Sequence, residues 1–307
     1  MIKKVIVSGA NGFVGSAVCK ELSSRGISVT AIVRNEESNI TRLKDVNDLE
    51  IVYCDLDNLT ALTSILRARD YDCFYHFAWT GSAGSLRGDY KTQLNNVEYT
   101  CRAVEMAKEL GCKRFVFAAS IMEYEIEVTM KTTNVTSRST LYSTSKITAE
   151  YMARILADDL GIEYVGGIIS NIYGPGEMSP RLVNTTIRKL QGGEHCSFSA
   201  GEQMYDFIYI DDAAKAFYEL GENAKSHRSY YIGSRNPRPL KDFLIKIRDV
   251  VSPDEVIGLG EIPFNGISLT YKEFDVDALY NDTGFLPSVS FEQGIKATAE
   301  WMKKRGE

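Results

Sequence analysis

The sequence has few of the residues from which metal centres, disulfide frameworks and nucleic-acid surfaces are built. It holds only three histidines, and none of its six cysteines stands in a Cys-x-x-Cys pair. These residues match no zinc-ligand spacing, so we expect no metal site and six reduced thiols. Lys and Arg number 35 against 41 Asp and Glu, a net charge of −6. That acidic balance argues against a nucleic-acid partner.

Long apolar runs are also missing. No stretch reaches the roughly 18 residues that a membrane-spanning helix needs. The first five residues lead into a strand-like run and carry no cleavage site of a secretory signal. The sequence therefore predicts a soluble, cytoplasmic protein without a membrane partner.

Short apolar runs alternate with longer amphipathic segments in the first half of the chain. We predict strands over residues 4–8, 28–34, 49–55, 73–78, 114–120 and 163–170. We predict helices between them over residues 14–25, 58–67, 93–110 and 142–160. Strands separated by helices indicate an α/β fold with a parallel sheet covered on both faces.

A glycine-rich turn follows the first predicted strand and opens the first predicted helix. Gly9 permits a tight turn, Gly12 lets the backbone approach a pyrophosphate, and Gly15 lets the helix pack close to the strand. The free N–H groups of the helix N-terminus would face the phosphates. At this position the spacing predicts a dinucleotide site. Its expected contacts are Gly9, Asn11, Gly12, Phe13, Val14 and Gly15.

The same turn suggests how the chain is divided. We expect a doubly wound parallel sheet of the Rossmann type, with residues 1–170 as the dinucleotide-binding domain and residues 206–234 returning to it. Beyond Asn171 prolines and glycines interrupt the pattern, although a strand over 206–210 and helices over 211–223 and 291–304 are still predicted. Residues 171–307 should mainly form a smaller α/β region that binds substrate.

The end of the second strand distinguishes NAD from NADP in such folds. An acid there binds the free ribose of NAD, whereas a base accommodates the 2′-phosphate of NADP. Here the strand ends in Arg34, which predicts NADP. The alternative is NAD, with Glu36 reaching the ribose and Arg34 in solvent. Asp55 and Leu56, ending the third strand, should contact the adenine, and Ala78, ending the fourth, the ribose and pyrophosphate.

A tyrosine and a lysine open the long helix after the fifth strand. Tyr142 and Lys146 stand four residues apart, so their side chains share one helical face. A nearby ammonium favours the phenolate and so lowers a tyrosine pKa. Lys146 can also hold the nicotinamide ribose, and Ser120 at the end of the fifth strand would hydrogen-bond the substrate oxygen. We expect the three to form a proton-transfer set.

Taken together, these motifs resemble the extended short-chain dehydrogenases/reductases, in the branch of nucleotide-sugar epimerases and dehydratases. The resemblance covers nearly the whole chain, and further motifs that carry it are Ser120-x-x-x-Tyr124, residues 171–176 and residues 206–212. It implies a bound dinucleotide, hydride transfer at a sugar carbon, Asn96 as a cofactor contact and Asn171 as a substrate contact. It also implies a homodimer through the helices at 93–110 and 142–160.

Two departures from the family pattern bear on the reaction and the substrate. Family dehydratases carry an Asp-Glu pair directly after the catalytic hydroxyl residue, but here Ile121 and Met122 stand there, which argues against water elimination. The family usually has Arg where this chain has Tyr205. Either another arginine supplies that charge, with Arg181, Arg188 and Arg235 as candidates, or the substrate is not a nucleotide diphosphate sugar.

A glycine-rich loop after the fourth strand should lie beside the substrate. Its first residues are Trp79 and Thr80. We expect Thr80 and Arg181 to contact substrate; the alternative for Arg181 is an ordinary exposed arginine. Trp79 either stacks on a sugar or packs within the protein.

These observations favour an NADP-dependent reductase of a keto group, C4 in our reading, on a nucleotide-linked deoxysugar. The resemblance is to enzymes such as those making CDP-abequose. The alternative is an NAD-dependent nucleotide-sugar epimerase using the same three residues. A cofactor-sensing regulator without catalysis is a more remote alternative, because such relatives usually lose the Tyr-x-x-x-Lys pair.

Overall fold

The computed structural model describes residues 1–131 and 137–306. Its strands are β1 (Lys4–Ser8), β2 (Ser28–Val33), β3 (Leu49–Tyr53), β4 (Cys73–His76), β5 (Arg114–Ser120), β6 (Glu163–Ile169), β7 (Asn171–Tyr173), β8 (Cys196–Phe198), β9 (Met204–Tyr205), β10 (Phe207–Tyr209), β11 (Arg228–Ile232), β12 (Arg238–Pro239) and β13 (Ile257–Leu259). Its helices are α1 (Phe13–Ser24), α2 (Leu62–Ile65), α3 (Tyr90–Glu109), α4 (Glu125–Lys131), α5 (Thr140–Asp159), α6 (Leu182–Gln191), α7 (Ile210–Glu222), α8 (Leu240–Val251), α9 (Ala278–Thr283) and α10 (Phe291–Arg305).

A seven-stranded sheet in the order β11-β6-β5-β4-β1-β2-β3 forms the centre of the first unit. The strands from β3 to β6 pair in parallel. The chain first builds outward from β1 to β3, then crosses over and continues from β4 in the other direction. Ligands in open α/β sheets bind at the carboxyl ends of the strands where the order reverses. Here that point lies between β1 and β4, and the predicted fold class is confirmed.

The middle of each central strand is apolar, as expected where helices cover both faces of the sheet. Val5, Ile6, Phe74, Phe115 and Phe117 are fully buried there. Runs of branched and aromatic residues of this kind are typical of parallel strands that are buried on both faces, because neither face can carry polar side chains at every second position.

The chain separates into two compact units. The first comprises residues 1–169, 214–231 and 277–285, and the second residues 170–213, 232–276 and 286–307. In the second unit α8 packs against α6 and α10. An aromatic cluster of Tyr173, Phe207, Phe243 and Phe291 joins these elements to the short β7–β10 pair.

The helix predicted over residues 58–67 is wrong in extent. The chain instead forms a 3-10 turn at Leu56–Ala61, followed by the four-residue α2. Asn58 has non-helical backbone angles, which interrupt the segment, and Asp55 caps the turn through the N–H of Leu56. Asx residues favour such local hydrogen bonds over continuous helix.

The six cysteines are unpaired, and five of them are buried. Among the described residues, none of the helices combines the length and apolarity required to span a bilayer.

Candidate active site

The glycine turn between β1 and α1 is shaped by close backbone packing. Gly9 has a φ of +69°, and a Cβ there would lie 2.6 Å from the nitrogen of Ala78. A Cβ on Gly15 would lie 2.3 Å from the carbonyl oxygen of Gly9. Both positions therefore exclude side chains, which brings the start of α1 against the carboxyl ends of β1 and β4.

A groove of about 420 Å³ lies along this turn and the ends of β1, β2 and β4. Eight of the predicted cofactor and substrate residues line it, namely Gly9, Asn11, Gly12, Arg34, Asp55, Leu56, Ala78 and Thr80. Trp79, which the sequence places in the loop beside the substrate, also lines it. The lining residues that the sequence did not indicate are Ser8, Ile32, Ser38, Asn39, Cys54 and Phe77. Phe13, Val14 and Gly15 belong to the first turn of α1 instead and shape the groove through the backbone.

Arg34 lies at the end of β2 with more than half of its side chain exposed. Its Nε is 3.9 Å from Oδ2 of Asp55, and its Nη2 donates a long hydrogen bond of 3.4 Å to Oγ1 of Thr80. The guanidinium therefore points along the groove lining with weakly held N–H groups. Glu36 and Glu37 are exposed, and neither belongs to the groove lining.

Asn96 on α3 holds the loop that follows β4. Its Oδ1 accepts from the N–H of Thr80 at 3.0 Å, and its Nδ2 donates to the carbonyl of Thr80 at 2.8 Å. Asn96 is buried, so both groups of its amide are used by the main chain. Asn96 therefore acts on the groove indirectly, by holding the backbone of Thr80, which lines the groove.

Lys146 is buried on the inward face of α5. Its ammonium donates to the carbonyl of Ala118 at 2.8 Å and lies 3.8 Å from the ring centroid of Trp79 and 4.7 Å from that of Phe117. Burial lowers the pKa of Lys146 to about 7, while the charges of Glu123 and Glu150 act in the opposite direction. A lysine of this kind can exchange a proton near neutral pH.

Tyr142 lies one helical turn before Lys146 and is also buried. Its ring meets Trp79 edge to face at a centroid distance of 6.0 Å. The guanidinium carbon of Arg87 lies 4.1 Å from the centroid of the Tyr142 ring. Trp79 therefore contacts both members of the predicted pair and links them to the dinucleotide groove.

Ser120 ends β5 and begins a 3-10 turn over Ile121–Tyr124. Its Oγ accepts from the N–H of Met122 at 3.2 Å, while its own N–H donates to Oε1 of Glu123 at 2.8 Å. This reciprocal cap fixes the Ser120 backbone two residues beyond the carbonyl that holds Lys146. Ile121 and Met122 carry no group that transfers protons.

The predicted substrate residues beyond β6 belong to the second unit. Asn171 donates through Nδ2 to the carbonyl of Asp206 at 3.0 Å. Arg181 lies 3.5 Å from the carboxylate of Glu177, measured from Nε to Oε2. Both side chains thus have partners within the unit.

Arg238, which the sequence did not indicate, lies opposite Tyr205 in the antiparallel β9–β12 pair. Directly paired residues project from the same face of a ladder. The guanidinium of Arg238 lies 4.2 Å from the ring centroid of Phe243, and its Nε is buried without a hydrogen-bond partner. An unsatisfied buried donor of this type is suited to an anionic ligand.

The model of the NAD-dependent epimerase/dehydratase family matches residues 5–233. The chain belongs to this family. The resemblance drawn from its motifs is confirmed, as is the expectation that it is a nicotinamide-dependent enzyme of this group.

Relatives in the family carry out different reactions. A dTDP-glucose 4,6-dehydratase of Shigella flexneri is 24% identical, over 97% of this chain and 92% of its own. A CDP-abequose synthase of Salmonella typhimurium is also 24% identical, over 95% of this chain and 96% of its own. Relatives at the same 24% identity thus include both a dehydratase and a synthase.

Solved structures share the fold over almost the whole chain. A UDP-N-acetylglucosamine 4-epimerase from Methanobrevibacter ruminantium, solved with UDP-N-acetylmuramic acid, has a TM-score of 0.83 at 23% identity and covers 99% of both chains. The enzyme WbmF of Bordetella bronchiseptica, solved with NADH, has a TM-score of 0.82 at 22% identity over 99% of this chain and 92% of its own. At these identities the likeness concerns the fold.

Proposed function

We propose that this enzyme is an NADP-dependent reductase that converts a keto group, at C4, of a nucleotide-linked deoxysugar into a hydroxyl group. The observation that carries the proposal is Arg34, whose guanidinium lies in the groove lining with only long contacts to Asp55 and Thr80. A base at this position suits a 2′-phosphate. The Ser38 hydroxyl lies in the same lining and donates to Oδ1 of Asn35 at 2.9 Å, so it would have to turn from Asn35 to donate to the phosphate.

The groove residues fit a dinucleotide. A side chain at Gly9 or Gly15 would collide with backbone, and Gly12 keeps the N-terminus of α1 accessible in the groove lining. Gly9, Gly12 and Asn11 would hold the pyrophosphate, and Asp55 and Leu56 the adenine. When bound, the reduced nicotinamide supplies a hydride to the carbonyl carbon of the sugar.

The chain's own residues handle the proton. The Tyr142 hydroxyl would donate its proton to the carbonyl oxygen as negative charge develops there. The Ser120 hydroxyl, whose oxygen already accepts from Met122, would donate its hydrogen to the same oxygen. Lys146, held by Ala118, would stabilise the resulting phenolate.

The substrate's diphosphate would be bound by the second unit. Tyr205 supplies a single phenolic hydroxyl where the family has a guanidinium, and we assign the missing charge to Arg238, its neighbour across the β9–β12 pair. Asn171 would add a hydrogen bond near the phosphates, and Arg181 remains a second candidate. The full-length relation to a CDP-abequose synthase supports a nucleotide-linked deoxysugar as substrate.

NADPH consumption with a nucleotide-linked 4-keto-6-deoxysugar tests the reaction. We expect one NADPH oxidised for each sugar reduced, and a loss of about 10²- to 10⁴-fold in kcat for Tyr142→Phe, the range that a general acid contributes. Tyr218→Phe is the matched control, since its ring stacks on Arg25 on the surface of the first unit. Interconversion of sugars without net NADPH oxidation would contradict the reductase and favour the epimerase.

A further inference from the structure

Glu123 is a buried acid directly beneath the candidate catalytic serine. Only 2% of the residue is exposed, and its Oε1 accepts from the N–H of Ser120. Burial raises the pKa of Glu123 well above its ordinary value, and the neighbouring carboxyl of Glu150 is the second largest cause of this rise. Its surroundings therefore favour the protonated form of Glu123.

Glu150 lies one helical turn after Lys146 on α5 and is also buried. Its carboxylate accepts the hydroxyl of Ser229 on β11, and Glu150 lines the same cavity as Glu123. Two ionised carboxylates in one buried cluster repel each other, which favours a single proton between them. With that proton the pair carries one negative charge.

Lys146 lies in the field of this pair. Other titratable or charged groups lie near the three: His76 on β4, Tyr124 in the 3-10 turn, Glu127 on α4, Tyr142, Tyr151 and Arg154 on α5, and Tyr164 on β6. His76 is neutral, because burial lowers its pKa to about 3, and burial raises the pKa of Tyr124 to about 12. The acid pair therefore supplies the counter-charge for Lys146.

A cavity of about 200 Å³ borders the pair, and it shares no lining residue with the dinucleotide groove. Besides Glu123 and Glu150 it is lined by Tyr124, Glu127, Ile147, Tyr151, Arg154 and Ser229. Since Tyr151 is largely exposed, protons can reach the pair along this path.

We propose that Glu123 and Glu150 form a one-proton carboxyl pair that favours the ammonium form of Lys146 and fixes the backbone of Ser120. The two acids are positioning residues, because they act through Lys146 and Ser120. The inference goes beyond the proposed reduction, since an epimerase using the same three residues would depend on the pair equally.

The charge on Lys146 can be followed in the cofactor-free protein through Trp79, which lies 3.8 Å from the ammonium. The chain has two tryptophans, so a Trp301→Phe background leaves Trp79 as the only one. We expect its emission to titrate near pH 7, following the pKa of Lys146, and the transition to vanish in Lys146→Met. No substrate is needed, so failure here is distinct from failure of the proposed reaction.

Amide variants of the pair then separate charge from packing. Glu123→Gln keeps the donor to Glu150 and the single negative charge, so the midpoint should move by less than about 0.3 pH unit. The double variant Glu123→Gln/Glu150→Gln removes the counter-charge, and the midpoint should fall by about one pH unit or more. The alkaline limb of kcat/KM should move in the same direction.

Glu127→Gln is the matched control, because this exposed acid lines the same cavity but pairs with Lys131. It should leave the midpoint in place. A double variant that titrates like its parent, or a Glu123→Gln shift as large as that of the double variant, overturns the proposal. Circular dichroism checks folding, and if the double variant does not fold, Glu150→Gln must shift the midpoint further than Glu123→Gln.

Discussion

Trp79 is the residue at which the dinucleotide groove and the proton-handling residues meet. Its ring lines the groove, covers the Lys146 ammonium and touches the edge of Tyr142, while Nε1 donates to Gln93 at 3.1 Å. Trp79 therefore packs within the protein, which is one of the two roles that the sequence leaves open. The attraction between an aromatic face and a buried ammonium also offsets part of the free-energy cost of removing that ammonium from water.

Arg34 carries the prediction on cofactor choice. In Arg34→Ala the groove loses the base that we assign to the 2′-phosphate, so the Kd of NADPH should rise about 10- to 100-fold, the range expected for a charge-assisted contact. The Kd of NADH should change less than about twofold. Fluorescence titration measures both, with Arg248→Ala in the second unit as control. Equal weakening of the two cofactors would show that Arg34 acts on the shared part of the nucleotide.

Residues whose role depends on spacing within one element were predictable from the sequence. Tyr142 and Lys146 share a face because they are four apart on a helix, and Gly9 and Gly15 follow from the needs of a strand-to-helix turn. The Glu123–Glu150 contact was not predictable, because it joins two segments through tertiary packing. Ser38 and Arg238 escaped notice for the same reason, since no local pattern marks them.

At the scale of elements, the loop after β4 depends on α3. Asn96 bonds both the N–H and the carbonyl of Thr80, and Gln93 donates to the carbonyls of Gly81 and Leu86. Two amide side chains one turn apart thus replace the regular hydrogen bonds that a loop lacks. The sequence indicated Asn96 through the family resemblance, but its clamp on the loop depends on the path of the backbone.

Asn96→Asp tests this clamp. A carboxylate can still accept from the N–H of Thr80, but it cannot donate to the Thr80 carbonyl, which it instead repels. Losing one buried hydrogen bond costs about 1 kcal/mol or more, so we expect the Kd of the nicotinamide cofactor to rise about three- to tenfold. Isothermal titration calorimetry measures it. Asn223→Asp is the control, since its amide bonds only the exposed Glu219. An unchanged Kd would mean that the loop holds its shape without Asn96.

On the scale of the whole molecule, α3 and α5 pack against each other and leave apolar residues outside. Leu94, Tyr151 and Ile155 are each more than half exposed. Tyr151 and Ile155 stand four apart on α5 and so share one face. Clustered exposed apolar residues of this kind mark interaction surfaces. We propose that a homodimer forms through these two helices, as the family resemblance implies.

Ile155→Glu should convert that dimer into a monomer, because a symmetric interface buries the introduced charge twice. Analytical ultracentrifugation gives the mass of each form, against 34.3 kDa for one chain. Leu286→Glu, which charges an exposed leucine of the second unit, should leave the mass unchanged. If the parent protein is already monomeric at micromolar concentration, the proposed interface is wrong.

The imidazole of His76 is locked between Ser8 and Thr100 and remains uncharged throughout the physiological range. A rate profile that bends near neutrality is customarily attributed to histidine. In this enzyme such a bend should be assigned to an amine instead, and replacing His76 would report on core integrity and leave the bend where it was.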